Sequence, residues 1–478
     1  MLETSTVEVV RSIEATLVDP DPRWIEWAEL TGDPVYRLAE RLLAAAGLDA
    51  ARAGRADWNP LGDWLRPGET VVVKPNLVHH RHYRGGKLHW VITDPRLIRA
   101  VCDYAARAVG SQGQVILGDA PLQSADWEAL LEVSGLERLP AFYARQGYRL
   151  RLADFRMLAT TDVKGVKLEP RALEGDPNGY RAVDLGSASL HAGRPWERYR
   201  VTNYDPASMR AHHNSRRHEY LVSGSVLNSS ALISLPKLKT HRKSGLTCAL
   251  KNLVGINGCK DWLPHHSAGA VAEGGDEYAG GAAWKRLSSW IVGREETARS
   301  TAAKLGWNAA RKVVWKTGSA LSRDASWEGS WHGNDTLWRT IVDLNRAAMY
   351  ADRDGVMQEH PARRIYTIVD AVLAGEGEGP MAPSPVPMGC LLTARNPLAA
   401  EVVSARMARW PEGRLRHILG AFQVERYPLA RFSASDVQAA AYDFDQGRLT
   451  ESSIEAMARW LEPTAGYRPL FDLSEVTP

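Results

Sequence analysis

Four short apolar runs, rich in β-branched residues, constrain the fold of this 478-residue chain more than any other feature of its sequence. They lie at residues 70–76, 114–121, 231–241 and 365–371, and each ends abruptly in polar residues. Runs this short, apolar on both faces, are typical of buried parallel strands. The sequence therefore predicts a mostly parallel sheet.

Helical patterns follow most of these runs. Residues 94–110 carry apolar side chains at helical spacing, while residues 244–255 and 396–410 begin with residues suited to helix capping. Strands that alternate with such helices indicate an α/β fold in which helices flank the sheet. Ligands of open α/β sheets bind outside the carboxyl ends of the strands, so we expect the functional site there.

Polar side chains stand at those strand ends. They are Lys74, Asn76, Asp119, Lys237, Lys239, His241 and Asp370. Strand alternation places Lys237, Lys239 and His241 on one side if the extended conformation persists. Three such donors repel one another unless an anion or carboxylates lie opposite. The pattern predicts a site for an anionic small molecule that carries a carboxylate or a phosphate.

Residue roles follow from this prediction. We expect Lys239, His241 and Lys74 to be catalytic, with His241 as the group that transfers a proton. The expected substrate-binding residues are Asn76, Lys237, Lys251, Asn252, His265 and His266. The alternatives are structural: solvated strand ends, an exposed helix stripe at Lys251 and ordinary loop histidines. Lyase, isomerase and hydrolase chemistry all stay open.

Acidic residues raise the question of a metal. Asp119 and Asp370 terminate apolar runs, and Glu376 and Glu378 follow in GEGEGP, a segment that its glycines predict to be a loop. Oxygen ligands of this kind suit a hard divalent cation, Mg²⁺ or Mn²⁺ rather than zinc. In the competing hypothesis, the lysines are the counter-ions of these carboxylates and no metal is needed.

Other features narrow the class of protein. The four cysteines lie far apart with no C-x-x-C, so no iron–sulfur cluster or disulfide framework is expected. The glycine patterns of dinucleotide-binding and P-loop proteins do not occur. A net charge of +3 does not indicate a nucleic-acid partner, and the sequence carries no signal of oligomeric state. Without a signal-peptide pattern or 18 consecutive apolar residues, a cytoplasmic protein is expected.

Several of these motifs occur together in a known family. KPNL at 74–77, KLKTH and ALKNLVG within 237–255, IVDAVLAGEGEGP at 368–380 and the D-L-N helix pattern at 335–346 resemble the DUF362 family of bacterial and archaeal proteins. Many relatives carry a ferredoxin-like cysteine module that this chain lacks. Where the family commonly has D-P-x-A-x-D, this sequence has NPLAAE, with Glu401 in the place of the second acid. The resemblance implies no reaction type.

The chain divides into segments by composition. We expect a helical N-terminal segment at 1–68, an α/β core at 69–410 and a helical extension at 411–478 that packs on the core. A basic, tryptophan-rich insertion at about 270–330 interrupts the core and is predicted to form a helical cover. A membrane surface or nucleic acid are alternative partners for it. The competing class of function is a non-catalytic ligand-binding or scaffold protein.

Overall fold

The computed structural model describes residues 1–163, 166–167, 170–201, 205–298, 300–321 and 326–471. The strands are numbered in chain order, and the numbering includes paired segments of only two residues. The strands are β1 Thr6–Arg11, β2 Thr70–Pro75, β3 Gln114–Asp119, β4 Leu150–Asp154, β5 Leu158–Ala159, β6 Asp162–Val163, β7 Val166–Lys167, β8 Arg171–Ala172, β9 Tyr180–Asp184, β10 Tyr199–Arg200, β11 Glu219–Ser223, β12 Ala231–Leu235, β13 Lys237–His241, β14 Gly245–Thr247, β15 His266–Ser267, β16 Arg364–Glu378, β17 Ala382–Ala394, β18 Gln438–Asp445 and β19 Arg448–Ser452.

The α-helices lie between and after these strands, and short 3₁₀ helices connect several of them. The α-helices are α1 Pro34–Ala45, α2 Pro95–Val109, α3 Trp127–Ser134, α4 Leu139–Arg145, α5 Pro206–His212, α6 Gly224–Asn228, α7 Ala249–Asn252, α8 Ala283–Thr297, α9 Thr301–Leu321, α10 Leu337–Tyr350, α11 Pro397–Met407, α12 Arg416–Phe422 and α13 Ile454–Met457. Within the described ranges, no helix has both the length and the apolar content needed to cross a membrane.

One large sheet organises the molecule. Its order is β19, β18, β1, β17, β16, β12, β2, β3 and β4, with β13 pairing with β16 and β14 with β13. The pairs from β16 through β12, β2 and β3 to β4 are all parallel, and β13 also runs parallel to β16. The hairpin of β16 and β17 and the outer strand β19 pair antiparallel. The predicted α/β class with a mostly parallel, helix-flanked sheet is confirmed.

The central strands bury both faces, as parallel strands do. In β2, Val72 packs into one apolar core while Val71 and Val73 pack into the other. Leu232 and Ile233 of β12 divide in the same way. This explains why the four runs are continuously apolar instead of alternating with polar residues, and why polar chemistry begins only where the strands end.

The run at 231–241 forms two strands instead of one. Pro236 has no backbone N–H to donate to a ladder, and it separates β12 from β13. Both pieces pair with β16, but the register of β13 shifts between Lys237 and Lys239. The break and the register shift lie where the lysines of β13 begin.

Two predictions on local structure are wrong. Residues 244–255 were expected to be helical throughout, but β14 forms a hairpin with β13 first, and helix α7 covers only Ala249–Asn252. GEGEGP was expected to be a loop, but Gly375 to Glu378 extend β16 and pair with β17. Pairing along a long twisted hairpin overrides the low strand propensity of glycine.

The two terminal segments also differ from the prediction of helices alone. The N-terminal segment contains helix α1 but also supplies β1, which lies between β17 and β18. The C-terminal segment supplies β18 and β19 as well as helices. The alternating valines of TVEVVR are a strand pattern, whereas the alanine-rich QAAAYDFD gains its strand conformation from pairing with β1.

Candidate functional site

The first part of the site is a buried ion pair between neighbouring strand ends. Lys74 Nζ, at the end of β2, lies 2.7 Å from Asp119 Oδ1, at the end of β3. Asp119 Oδ2 accepts a hydrogen bond from the backbone N–H of Leu77 at 2.7 Å. Gly255 passes so close that a Cβ atom there would lie 2.0 Å from Asp119 Oδ1. Burial lowers the pKa of Lys74, and the carboxylate of Asp119 opposes that effect.

A second buried pair lies beside the first. Lys237 Nζ, at the start of β13, donates to Asp370 Oδ2 at 2.9 Å, and the backbone N–H of Asp94 donates to the same oxygen at 2.8 Å. Two residues on, Lys239 Nζ donates to Asn76 Oδ1 at 3.1 Å and to the carbonyl of Val91. Lys239 therefore has neutral partners where Lys237 has a carboxylate.

Helix α7 carries Lys251 and is fixed from both sides. Glu401 Oε2, from α11, accepts a hydrogen bond from the backbone N–H of Leu250 at 2.8 Å. Asn345 Nδ2, from α10, donates to the carbonyl of Leu250 at 2.8 Å. Asn252 donates to the carbonyl of Lys74 at 3.0 Å and accepts from Lys74 Nζ at 3.2 Å. These contacts hold Lys251 in place without using its own ammonium group.

Four lysines of the site form no ion pair with a carboxylate in the described part of the chain. We call them the lysine cluster: Lys239, Lys243, Lys251 and Lys260. Lys260 Nζ donates to the carbonyl of Ala120 at 2.9 Å, and Lys251 is partly exposed and has no hydrogen-bond partner among the described residues. The cluster therefore concentrates positive charge in a largely buried place.

Burial and mutual repulsion act on the protonation of this cluster. Burial, reinforced by the charges of Lys260, Lys243 and Lys74, lowers the pKa of Lys251 to about 7. Burial lowers the pKa of Lys243 to about 8 and that of Lys260 to about 8, against the opposing charges of Glu328 and Asp119 respectively. The pKa of Lys239 falls well below its usual value, through burial and the charge of Lys237. Near neutral pH, Lys243, Lys251 and Lys260 are therefore poised between the charged and neutral forms.

Two histidines face the cluster with opposite hydrogen-bonding capacity. His241 Nδ1 accepts from the backbone N–H groups of Lys243 and Ser244 at 3.0 and 3.2 Å, so its proton is on Nε2. His265 Nδ1 lies 2.7 Å from the carbonyl of Leu263 and must donate to it, which leaves Nε2 as an acceptor. Burial and the charge of a neighbouring lysine, Lys251 for His241 and Lys243 for His265, hold the pKa of both histidines well below the usual range. His241 thus offers a donor, and His265 an acceptor.

Not every predicted site residue joins this group. His266 does join it, since its ring is buried beside the charges of Lys243 and Arg200 and neither ring nitrogen has a partner among the described residues. Asn252 is committed to Lys74 and to Ser234 Oγ, so its role is to position α7. Glu376 lies in the β16–β17 hairpin, and its Oε2 accepts a hydrogen bond from the backbone N–H of Glu462.

The four carboxylates expected to bind a metal do not form one group. Asp119 and Asp370 each hold a lysine, while Glu376 and Glu378 lie further along β16. Across the ranges that the structure describes, no three His, Cys, Asp or Glu side chains are placed to hold a metal ion. Asp119 and Asp370 are instead in contact with Lys74 and Lys237. This is the arrangement of the competing hypothesis, in which lysines are the counter-ions of these carboxylates.

Three positions of the candidate site were missed from the sequence. Lys243 lies two residues after KTH, and Lys260 lies in NGCKDW, so a search for further lysines around the recognised motifs could have found both. Gly255 is the third, in ALKNLVG. A lone glycine in an apolar segment carries no signal of a close approach between chain segments, so only the structure shows its role.

Comparisons with known proteins give little functional information. No curated protein matches the chain. Among solved structures, a Thermotoga maritima protein determined as a structural-genomics target matches with 10% sequence identity and a TM-score of 0.31. The match covers 73% of this chain and 53% of that one, so this chain spans about half the length of the other. Similarity this low bears on neither fold nor function.

A family model gives a clearer result. It is described as a domain of unknown function, DUF362, and it matches residues 71–171 and 182–406. The two matched segments contain both buried ion pairs, helix α7 and the lysine cluster, and together they make up well over half of the chain. The protein belongs to the DUF362 family.

Proposed function

We propose that the protein is an enzyme that binds a small molecule carrying a carboxylate or a phosphate at the lysine cluster and acts on it by proton transfer. One observation carries the proposal: four largely buried lysines lie together without a carboxylate partner among the residues that the structure describes. Burying uncompensated charge is costly, and a chain retains such an arrangement where a ligand supplies the opposite charge. Two carboxylates of the site, Asp119 and Asp370, are already neutralised by Lys74 and Lys237.

The residues support distinct roles in this proposal. Lys239 and Lys260 anchor the anion, since both are fixed by hydrogen bonds to neutral acceptors. Lys251 is the acid–base group, because its pKa near 7 lets it accept and return a proton at neutral pH. His241 Nε2 donates a hydrogen bond to a substrate oxygen. In this assignment the proton is transferred by Lys251, and not by His241 as the sequence analysis expected. The carboxylates of Asp119 and Asp370 are neutralised by lysines and not by a divalent cation.

Anion binding is tested by calorimetric titration of the purified protein with sulfate and with succinate. We expect both to bind the parent protein. Lys251→Met should weaken binding about tenfold or more, because a charge-assisted hydrogen bond contributes about 1.5–3 kcal/mol. The matched control is Lys316→Met, which removes an exposed lysine of α9 and should leave affinity unchanged. Failure of both anions to bind the parent, or equal affinity of parent and Lys251→Met, would contradict the proposal.

Catalysis is tested separately from binding. Native mass spectrometry of the protein as purified identifies any retained metabolite, which then serves as the substrate in turnover assays. Lys251→Arg keeps the positive charge but cannot give up its proton near neutral pH. We expect this variant to bind the metabolite while turnover falls about 10²- to 10⁴-fold. Retention of a metabolite that the parent never converts would favour the competing class, a non-catalytic binding protein.

A further inference from the structure

The hairpin of α8 and α9 keeps its acidic residues inside and exposes only basic ones. The two acidic residues of these helices, Glu295 and Glu296, are turned inwards, where their side chains are 6% and 3% exposed. The cations Arg286, Arg294, Lys312 and Lys316 are all exposed. The outer surface of the hairpin therefore carries positive charge with no acidic residue of its own among the described positions.

Large apolar side chains share this outer surface. Leu287 and Trp290 of α8 are 48% and 51% exposed, and Val313 of α9 is 63% exposed. Leu287, Trp290 and Arg294 are three and four residues apart, so they follow one side of α8. Arg294 lies over the Trp290 ring at 5.1 Å from its centre. Single exposed apolar side chains are common on protein surfaces, whereas several on one surface are typical of an interaction site.

The two helices also meet at this surface. The Trp290 ring packs edge-on against Trp307 of α9, with 5.6 Å between ring centres. On the inner side, Glu295 accepts from Asn308 Nδ2 at 2.9 Å and pairs with Arg311. The inner contacts fix the two helices relative to each other, and the tryptophan pair fixes the outer apolar side chains. The surface is thus already formed before any partner binds.

We propose that the outer surface of the α8–α9 hairpin docks on an anionic lipid bilayer. Amphipathic helices that lie at such surfaces bury tryptophan and aliphatic side chains at the level of the headgroups, with lysine and arginine beside them. Each basic residue near an anionic membrane gains roughly 1 kcal/mol. Arg286 pairs with the exposed Glu273, which precedes the hairpin, but α8 and α9 themselves expose basic and no acidic side chains among the described residues. The charge of this surface is therefore complementary to an anionic lipid headgroup layer. Docking here does not depend on the anion site at the strand ends.

Vesicle flotation with the full chain tests the proposal. The protein is mixed with vesicles of phosphatidylcholine alone, or of phosphatidylcholine with phosphatidylglycerol. We expect it to float with the anionic vesicles and not with the neutral ones, and to be released as the salt concentration rises. Leu287→Ser with Trp290→Ser should weaken partitioning about tenfold or more. Removing one cation by Arg294→Gln should weaken it about fivefold.

A matched control separates docking from a general loss of tryptophan. Trp460, in the C-terminal segment, is 41% exposed, and Trp460→Ser should float with anionic vesicles like the parent. Melting temperatures of all variants confirm that they are folded. Equal flotation of the parent and the double variant would overturn the proposal, as would equal binding to neutral vesicles or binding to neither kind. A parent dimer that the double variant abolishes, without any vesicle binding, would make this surface an interface between two copies.

Discussion

The strand-end site and the α8–α9 hairpin differ in how their buried charges are paired. At the strand ends the buried lysines outnumber their carboxylate partners, and four of them lack such a partner among the described residues. Under the hairpin the buried carboxylates have arginine neighbours: Arg311 pairs with Glu295 at 3.1 Å, and Arg200 lies 3.8 Å from Glu296. The first arrangement is incomplete without a ligand, whereas the second is neutralised from within. Buried charge therefore points to ligand binding only where the chain leaves it unpaired.

The largest effect is expected where a buried pair is broken. Lys74→Met leaves Asp119 buried without its ammonium partner, and we expect the free energy of unfolding to fall by about 3–5 kcal/mol. Adding Asp119→Leu should recover much of this loss, because the uncompensated charge is then removed. Urea unfolding measures both. If the single variant lost less than about 1 kcal/mol, the pair would not be as desolvated as its burial indicates.

A smaller effect is expected from pH on anion binding. Sulfate binds the ammonium forms of the cluster, and these lose their protons as the pH rises through the pKa values of about 7 for Lys251 and about 8 for Lys243 and Lys260. Affinity should therefore be highest below this window and fall by up to about tenfold per pH unit for each coupled proton. Sulfate itself does not titrate there.

Proton uptake gives an independent check of the same coupling. Within the window, sulfate should raise the pKa of the lysines, so binding takes up protons from the buffer. Calorimetric enthalpies measured in buffers with different ionisation enthalpies should then differ. Affinity that is flat with pH, together with buffer-independent enthalpy, would mean that the cluster is fully charged or fully neutral throughout.

Under the hairpin, pH acts on the stability of the fold instead of on ligand affinity. Burial raises the pKa of Glu296 to about 8, so the folded protein holds a proton that the unfolded chain has lost. Stability should therefore fall as the pH rises from the unfolded pKa near 4.3 towards about 8. Glu296→Gln should remove that part of the dependence and make the variant more stable than the parent by about 1 kcal/mol or more at the alkaline end. Thermal unfolding across this range measures the difference, and parallel curves would contradict the assignment.

The smallest effect is expected from the exposed cations. Lys316→Gln, on the outer side of α9, should change the free energy of unfolding by no more than about 0.5 kcal/mol, and Arg294→Gln by a similarly small amount. Urea unfolding of these variants beside Lys74→Met sets the scale of the comparison. A loss of several kcal/mol at either position would show that the hairpin depends on its outer charges for folding.

The sheet and its polar edge could be predicted because both depend on short stretches of the sequence. A short, doubly apolar run has few ways to be buried, and the carboxyl ends of parallel strands meet at one edge. The same reasoning correctly brought Lys74, Asp119, Lys237 and Asp370 to one region. It failed at GEGEGP, where composition indicated a loop but pairing with β17 decides the conformation.

The details of the chemistry depend on contacts that sequence spacing does not encode. The sequence makes Asp119 a candidate metal ligand, whereas in the structure its carboxylate lies 2.7 Å from Lys74 Nζ. His241 was the expected proton-transfer group, but the backbone N–H groups of the turn after β13 fix its proton on Nε2. His265 has the opposite arrangement for an equally local reason. Which nitrogen is free depends on the turn geometry, and the turn geometry depends on the whole hairpin.

The contact between Glu401 and His417 sets a limit on how far the chain can be shortened. Glu401 fixes the N-terminal end of α7 with one oxygen, and its other oxygen lies 2.9 Å from His417 Nε2 in α12, beyond the segment that the family model covers. A chain cut at residue 406 would lose this partner and also β18, the neighbour of β1. The smallest unit that keeps Lys251 in position is therefore larger than the family's shared region, and fragments meant for assays should retain α12 and the final hairpin.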